Sequence, residues 1–175
     1  TVWPMTTPPT TWPTSCQGHS TVVFDESLAD YDFGPTHPMA PIRVDLTMRL
    51  AGELGVLDHL KVVEAPMGTP EQLLTIHDES YIEAVIKAGR SGESDLAHGL
   101  GTEDDPVFAH IHDASAHIVG ASIEACRQVY SGESLHSANI MGGLHHAMRG
   151  RAAGFCIYND VAAGIQWLLD QGVKK

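Results

Sequence analysis

The chain is poor in positive charge, and that alone removes one class of partner. Lys and Arg total 10 against 22 Asp and Glu, a formal net charge of −12. No basic cluster exists to neutralise phosphates, so nucleic acid is not an expected partner. Cysteine occurs only three times, at Cys16, Cys126 and Cys156. So few and so scattered, these residues make neither a disulfide framework nor a Cys-x-x-Cys metal site, and they fit a reducing cytosol. No apolar run approaches the roughly 18 residues of a membrane span. No basic segment precedes an apolar core at the start, so neither a membrane partner nor secretion is expected, and the expected localisation is cytoplasmic. There are no internal repeats.

What is present suits one globular domain. A chain of 175 residues, 43% hydrophobic, can fill a single core. Residues 1–20 differ in kind: Pro4, Pro8, Pro9 and Pro13 stand among threonines with no Asp, Glu, Lys or Arg. This segment reads as a disordered Pro/Thr-rich tail, native or an extension, with Trp3 and Trp12 as candidate anchors for a partner.

From Thr21 onward strands and helices alternate. Thr21 to Phe24 and Lys61 to Glu64 read as short strands. Pro41 opens a helix with an apolar stripe of Ile42, Leu46, Leu50 and Leu54, supported by Asp45, Arg49 and Glu53 at i,i+4 spacing. Thr69-Pro70-Glu71-Gln72 is a capping box for a helix to about Ile76, and Ser80 to Ala88 is another, stopped by Gly89. Gly92 to Pro106 reads as a long loop rich in acids and glycines. Val107 to Val129 is the best-defined helix, with Ile111, Ala114, Ile118, Ala121, Ser122, Ala125 and Val129 on one stripe. Ala138 to Met141 is a strand, and Asn159 caps a helix from Asp160 to about Asp170, ended by Gly172. This order predicts a layered α/β domain with a mainly parallel sheet and ligands at the carboxyl ends of its strands.

One such strand end carries Gly142-Gly143-Leu144-His145-His146-Ala147, followed by Gly154-Phe155-Cys156 and Tyr158-Asn159-Asp160. Neutral imidazole accepts or donates a proton near pH 7, so two adjacent rings can serve as base and acid. That pattern points to a hydrolase. The same residues, with Tyr31-Asp32-Phe33-Gly34-Pro35-Thr36-His37-Pro38-Met39-Ala40-Pro41-Ile42-Arg43, closely resemble the two signatures of the histone deacetylase and acetoin-utilization deacetylase family. Those enzymes are zinc amidohydrolases that remove acetyl groups from lysine.

The resemblance implies a three-layer arginase/deacetylase-like fold, of which residues 21–175 would be the N-terminal portion. The family's zinc ligands, an Asp and a His after the next strand and a second Asp further on, do not lie in this chain; nor does its electrophilic tyrosine. The chain is therefore expected to hold no metal ligand, to be truncated relative to the family fold, and to be inactive alone. The implied reaction is zinc-dependent hydrolysis of an acetylated lysine peptide or a small acetylated amine. The alternative is a catalytically inactive truncated product or a ligand- or partner-binding module.

The resemblance assigns roles to single residues. His145 and His146 would assist attack of water and protonate the leaving amine, each oriented by an Asp outside this chain, without which their tautomers would be unfixed. Gly154 and Phe155 would form one wall of the acyl-lysine tunnel, unless Phe155 is ordinary core. Asp104 would accept hydrogen bonds from the substrate backbone, with Asp105 as the neighbouring choice and a solvated acidic loop as the alternative. Met39, Arg43, Leu144 and Cys156 would line a channel for departing acetate, Arg43 attracting the carboxylate, or Arg43 would pair with acids on a helix surface. His110, His112, Asp113 and His117 look metal-like, but helical residues two apart point away from each other and cannot share one ion.

Overall fold

The computed structural model describes residues 20–174, so residues 1–19 of the expected tail lie outside the described residues. Ser20, counted with that tail above, is instead the first residue of β1 (Ser20–Val23). It is held by pairing, because β1 lies between β2 (Leu60–Val63) and β3 (His136–Asn139) and runs parallel to both. Ser20 is opposite Leu60 on one side and His136 on the other. Val22 and Val23 are buried, as both faces of a central parallel strand demand. The buried hydroxyl of Thr21 is satisfied by Ser134 Oγ. Both crossovers are helical: α1 (Ile42–Glu53) joins β1 to β2, and α2 (Pro70–Leu74), α3 (Glu79–Ser91) and α4 (Ile111–Tyr130) join β2 to β3. Helix α5 (Asp160–Asp170) follows and packs along α4.

Where local chemistry decides, the expected element forms. Thr69 Oγ1 accepts from Gln72 N at 3.3 Å and Gln72 Oε1 accepts from Thr69 N at 2.8 Å, closing the capping box with Pro70 at the first helical position. Asn159 Oδ1 accepts from Ala162 N at 2.9 Å and starts α5.

Where a distant neighbour decides, the element shifts. Helix α3 runs through Gly89 to Gly92, the residue with left-handed backbone (φ 72°) that ends it. Gly89 is a packing position instead, since a Cβ there would lie 2.9 Å from Ile111 Cγ2. Helix α4 begins at Ile111 rather than Val107, because His110 has φ 61° and breaks the preceding turn. Its stripe of Ile111, Ala114, Ile118 and Ala121 is buried as expected, whereas Val129 emerges into solvent. Strand β3 ends at Asn139, so Ile140 and Met141 belong to the turn that leads out of the sheet.

The largest correction concerns α1. Ile42, Leu46, Leu50 and Leu54 are 55–68% exposed, and the core is met by Val44 and Met48. An apolar row at i,i+4 spacing marks a face of a helix without saying which neighbour covers it, and here the opposite side packs on the 3₁₀ turn Glu26–Asp30. The Asp45–Arg49 pair forms at 3.2 Å on this exposed surface, where it contributes little. Val161, Ile165 and Leu169 of α5 also face outward. Among the described residues, no helix is long and apolar enough to cross a membrane.

These uncovered rows predict that the isolated chain self-associates. Sedimentation velocity should give a weight-average mass that rises with concentration, and Leu46→Glu with Leu50→Glu should suppress the rise while leaving the far-ultraviolet helix signal unchanged. A wild-type chain that stays monomeric at all concentrations would contradict this.

Candidate active site

The His145–His146 loop leaves the carboxyl end of β3, where open α/β sheets place their ligands. Its backbone is gripped by one buried carboxylate. Asp160, the first residue of α5, accepts from Gly143 N at 3.1 Å and from Leu144 N at 2.7 Å, and Ser122 Oγ of α4 donates to its Oδ2. Asn139 at the end of β3 extends the network, donating to Ser122 Oγ at 3.0 Å and accepting from Met141 N at 3.1 Å. Gly142 is required for this approach, because a Cβ there would lie 2.6 Å from Asp160 Oδ2.

A second grip acts on the far side of the loop. Asn159 Nδ2 donates to Ala147 O at 3.0 Å and His145 O at 3.3 Å, while Asn159 N donates to Nε2 of the buried His77 at 3.0 Å. His77 Nδ1 donates to Arg149 O at 3.2 Å. Burial pulls the His77 pKa below the ordinary imidazole value, which matches a neutral ring giving from one nitrogen and taking at the other.

So held, the two site histidines are exposed and stacked, with ring centroids 4.4 Å apart and planes inclined at 34°. His145 Nδ1 lies 2.9 Å from Gly143 O, and a carbonyl can only accept, so that nitrogen carries the proton and Nε2 is left to act. The expectation of an unfixed tautomer is corrected for His145: its own loop sets it. Beside the pair, the backbone of Gly154 passes directly under the His146 ring, and a Cβ there would lie 3.1 Å from His146 Cγ.

Phe155 follows in a left-handed conformation (φ 69°) with its ring half-buried. It meets the His37 ring edge-on at a centroid distance of 4.6 Å. His37 Nε2 donates to Asp104 O at 3.2 Å and its Nδ1 accepts from Met39 N at 3.1 Å. His146, Gly154, Phe155, His37 and the Asp104 loop are thus linked by successive contacts. Of the two adjacent acids, Asp104 is exposed and Asp105 is buried.

The channel residues are only partly brought together. Met39 and Arg43 line a cavity of about 210 Å³ with Ile140, Met141 and Gly142, just below the loop. Leu144 and Cys156 are buried elsewhere and do not line it. Arg43 is exposed and makes no ion pair among the described residues. His112 Nδ1 is engaged by Tyr158 OH at 2.8 Å and His110 lies 3.6 Å from Asp113, both away from the loop.

Sequence reasoning missed the residues that hold the site rather than face it. Asn159 was read only as a helix cap, while Asp160, Ser122, Asn139, His77 and His37 had no assigned role. The clue was a buried-type acid directly after Tyr158-Asn159, where a helix start makes a carboxylate welcome. Asp160→Ala should destabilise the chain by at least about 3 kcal/mol, roughly 1 kcal/mol or more for each of three orphaned donors. Amide exchange at Gly143 and Leu144 should accelerate with it; unchanged protection there would remove Asp160 from this role.

Residues 37–175 match the model of the histone deacetylase domain. The acetoin utilization protein AcuC of Bacillus subtilis (strain 168) is 42% identical over 152 residues, which cover 85% of this chain and 39% of that protein. The protein of the same name from Staphylococcus aureus (strain MRSA252) is 36% identical over 149 residues, covering 83% of this chain and 38% of that one. The crystal structure of an HDAC homolog from Aquifex aeolicus superposes with a TM-score of 0.78 at 26% identity, over 90% of this chain and 43% of that chain. An HDAC homolog complexed with SAHA gives 0.77 at 27%, over 91% and 43%. The chain spans about 40% of the length of these relatives. With the matched model running from His37 through the paired histidines, and with the arginase/deacetylase-like α/β fold around them, the chain belongs to the histone deacetylase family.

Proposed function

We propose that these residues are the proton-transfer and substrate-contacting part of a zinc-dependent hydrolytic deacetylase. The substrate class proposed is an acetylated lysine peptide or a small acetylated amine, and the place of action the cytoplasm. The observation that carries this reading is the pair of exposed imidazoles stacked at 4.4 Å beside the Gly154–Phe155 turn. One ring takes the proton of the attacking water and the other returns a proton to the leaving amine, a division of labour that typically contributes about 10² to 10⁴ in rate. Phe155 packs on the methylenes of an extended side chain, and the exposed carboxylate of Asp104 accepts from the substrate backbone. The cavity under Met39 and Arg43 is the proposed exit for acetate, drawn by the guanidinium. The SAHA complex of a structural neighbour supports a ligand-accepting pocket of this kind.

Zinc is proposed on family grounds, and these residues do not complete a site for it. Among the described residues, no group of three or more His, Cys, Asp or Glu converges to hold a metal ion. Its ligands would have to come from outside residues 20–174.

On this reading, the 175-residue chain alone releases no acetate from acetyl-lysine peptides. Zinc-dependent release that a chelator abolishes would overturn that expectation. The histidine roles are tested in a chimera in which this chain replaces the aligned region of the Bacillus subtilis relative. Where that chimera is active, His145→Ala and His146→Ala should each lower kcat by roughly 10² or more with its zinc content unchanged. Unaltered kcat in both would remove the pair from the chemistry.

A further inference from the structure

His37 stands where three segments meet: its own loop, the acidic loop and the Gly154–Phe155 turn. Its own loop holds it from behind, since His37 N donates to Gly34 O at 3.1 Å and Met39 N donates to His37 Nδ1 at 3.1 Å. The ring lies against buried Phe33 at a centroid distance of 4.6 Å, and Phe33 packs edge-on against Tyr31 and Phe108 in the core. It meets the Phe155 ring at the same distance with planes inclined at 85°. Towards the acidic loop, Nε2 donates to Asp104 O at 3.2 Å. Among the described residues, the other hydrogen bonds of Asp104 and Asp105 stay within that loop: Asp105 N donates to Thr102 Oγ1 at 3.0 Å, and Asp105 O accepts from Gly101 N at 2.8 Å. The imidazole is thus what fastens the Asp104 backbone to another part of the chain. A carbonyl only accepts and a peptide N–H only donates, so the proton sits on Nε2 and Nδ1 is bare. With both nitrogens engaged the ring is a neutral spacer, unlike that of His145, whose Nε2 is left to act.

We infer that His37 is a positioning residue: through its bond to Asp104 O and its contact with the Phe155 ring, it fixes the Asp104 carboxylate relative to that ring. This rests on the reading of Asp104 and Phe155 as substrate contacts. On that reading Asp104 accepts from the peptide backbone while Phe155 packs on the methylenes, so their spacing has to match the reach of one extended side chain. The two residues sit on separate loops, and the exposed Asp104 side chain takes its direction from its backbone. A loop left to be ordered by the ligand costs affinity, whereas one already held in place does not.

The test replaces His37 by two amides that each keep one of its bonds. In His37→Gln the terminal amide still reaches Asp104 O as a donor, whereas in His37→Asn the shorter side chain accepts from Met39 N and falls short of Asp104. Both lose the ring, so a difference between them reads the Asp104 bond. In the full 175-residue chain at low concentration, the carbonyl-carbon NMR signal of Asp104 is expected to move clearly further in His37→Asn than in His37→Gln. Histidine nitrogen spectra of the wild type should show His37 protonated at Nε2 and bare at Nδ1. An Asp104 signal that moves no further in His37→Asn than in His37→Gln, or a His37 proton on Nδ1, overturns the inference. An acetyl-lysine peptide should bind roughly threefold to tenfold more weakly to His37→Asn than to His37→Gln, the loss of one neutral hydrogen bond. Equal binding to the two variants also overturns it. If the NMR signals behave as expected but the peptide does not bind even the wild-type chain, the His37 bridge stands and the reading of Asp104 and Phe155 as substrate contacts falls.

Discussion

A single buried carboxylate, that of Asp160, holds together the elements on which the site depends. It starts α5, receives a hydroxyl from α4 through Ser122, and accepts the peptide N–H groups of Gly143 and Leu144 from the loop that follows β3. Burying a charge is costly unless its lone pairs are filled, and here three donors from two segments fill them. Its place in the first turn of α5 adds the favourable end of the helix dipole. The loop has no sheet or helix partner of its own, so without this acceptor its amides would be orphaned. The geometry of the two histidines is therefore inherited from a buried carboxylate that holds their loop rather than from the rings themselves.

Much of this was legible from sequence, and the legible parts share one property: their physics is local. The Thr69–Gln72 capping box and the Asn159 cap form because the partners lie three residues apart. The Gly-Gly-x-His-His pattern located the pair because glycines mark where backbone must come close. The failures are equally physical. Nothing within α1 says that Val44 and Met48, rather than Ile42, Leu46, Leu50 and Leu54, meet the 3₁₀ turn beneath it. Gly89 resembles a stop until Ile111 is seen packed against it. His37 and His77 acquire their roles from carbonyls 67 and 72 residues away, a relation no local pattern encodes.

The histidines also divide by environment rather than by identity. His77, enclosed and bonded at both nitrogens, serves as a fixed strut, whereas His145 and His146 stand in solvent, His145 bonded to its own loop and His146 lying over Gly154. Because burial disfavours the charged form of His77, its grip on Asn159 is fully present above the ordinary imidazole range and is lost as pH falls through its depressed value. The same side chain thus serves as a rigid strut in one setting and, on the proposed reading, as a proton carrier in the other.

The order β2-β1-β3 bears on how the chain leaves the ribosome. Strand β1 emerges first and is the middle strand, so one edge can be covered once α1 has delivered β2. The other edge waits for α2, α3 and α4 to be synthesised before β3 arrives, and the histidine loop comes directly afterwards. Contacts this far apart in sequence form slowly and leave strand edges open meanwhile. Until β3 is made, one edge of an apolar strand is therefore available to mispair or to be held by a chaperone, and the paired imidazoles find their place only after it.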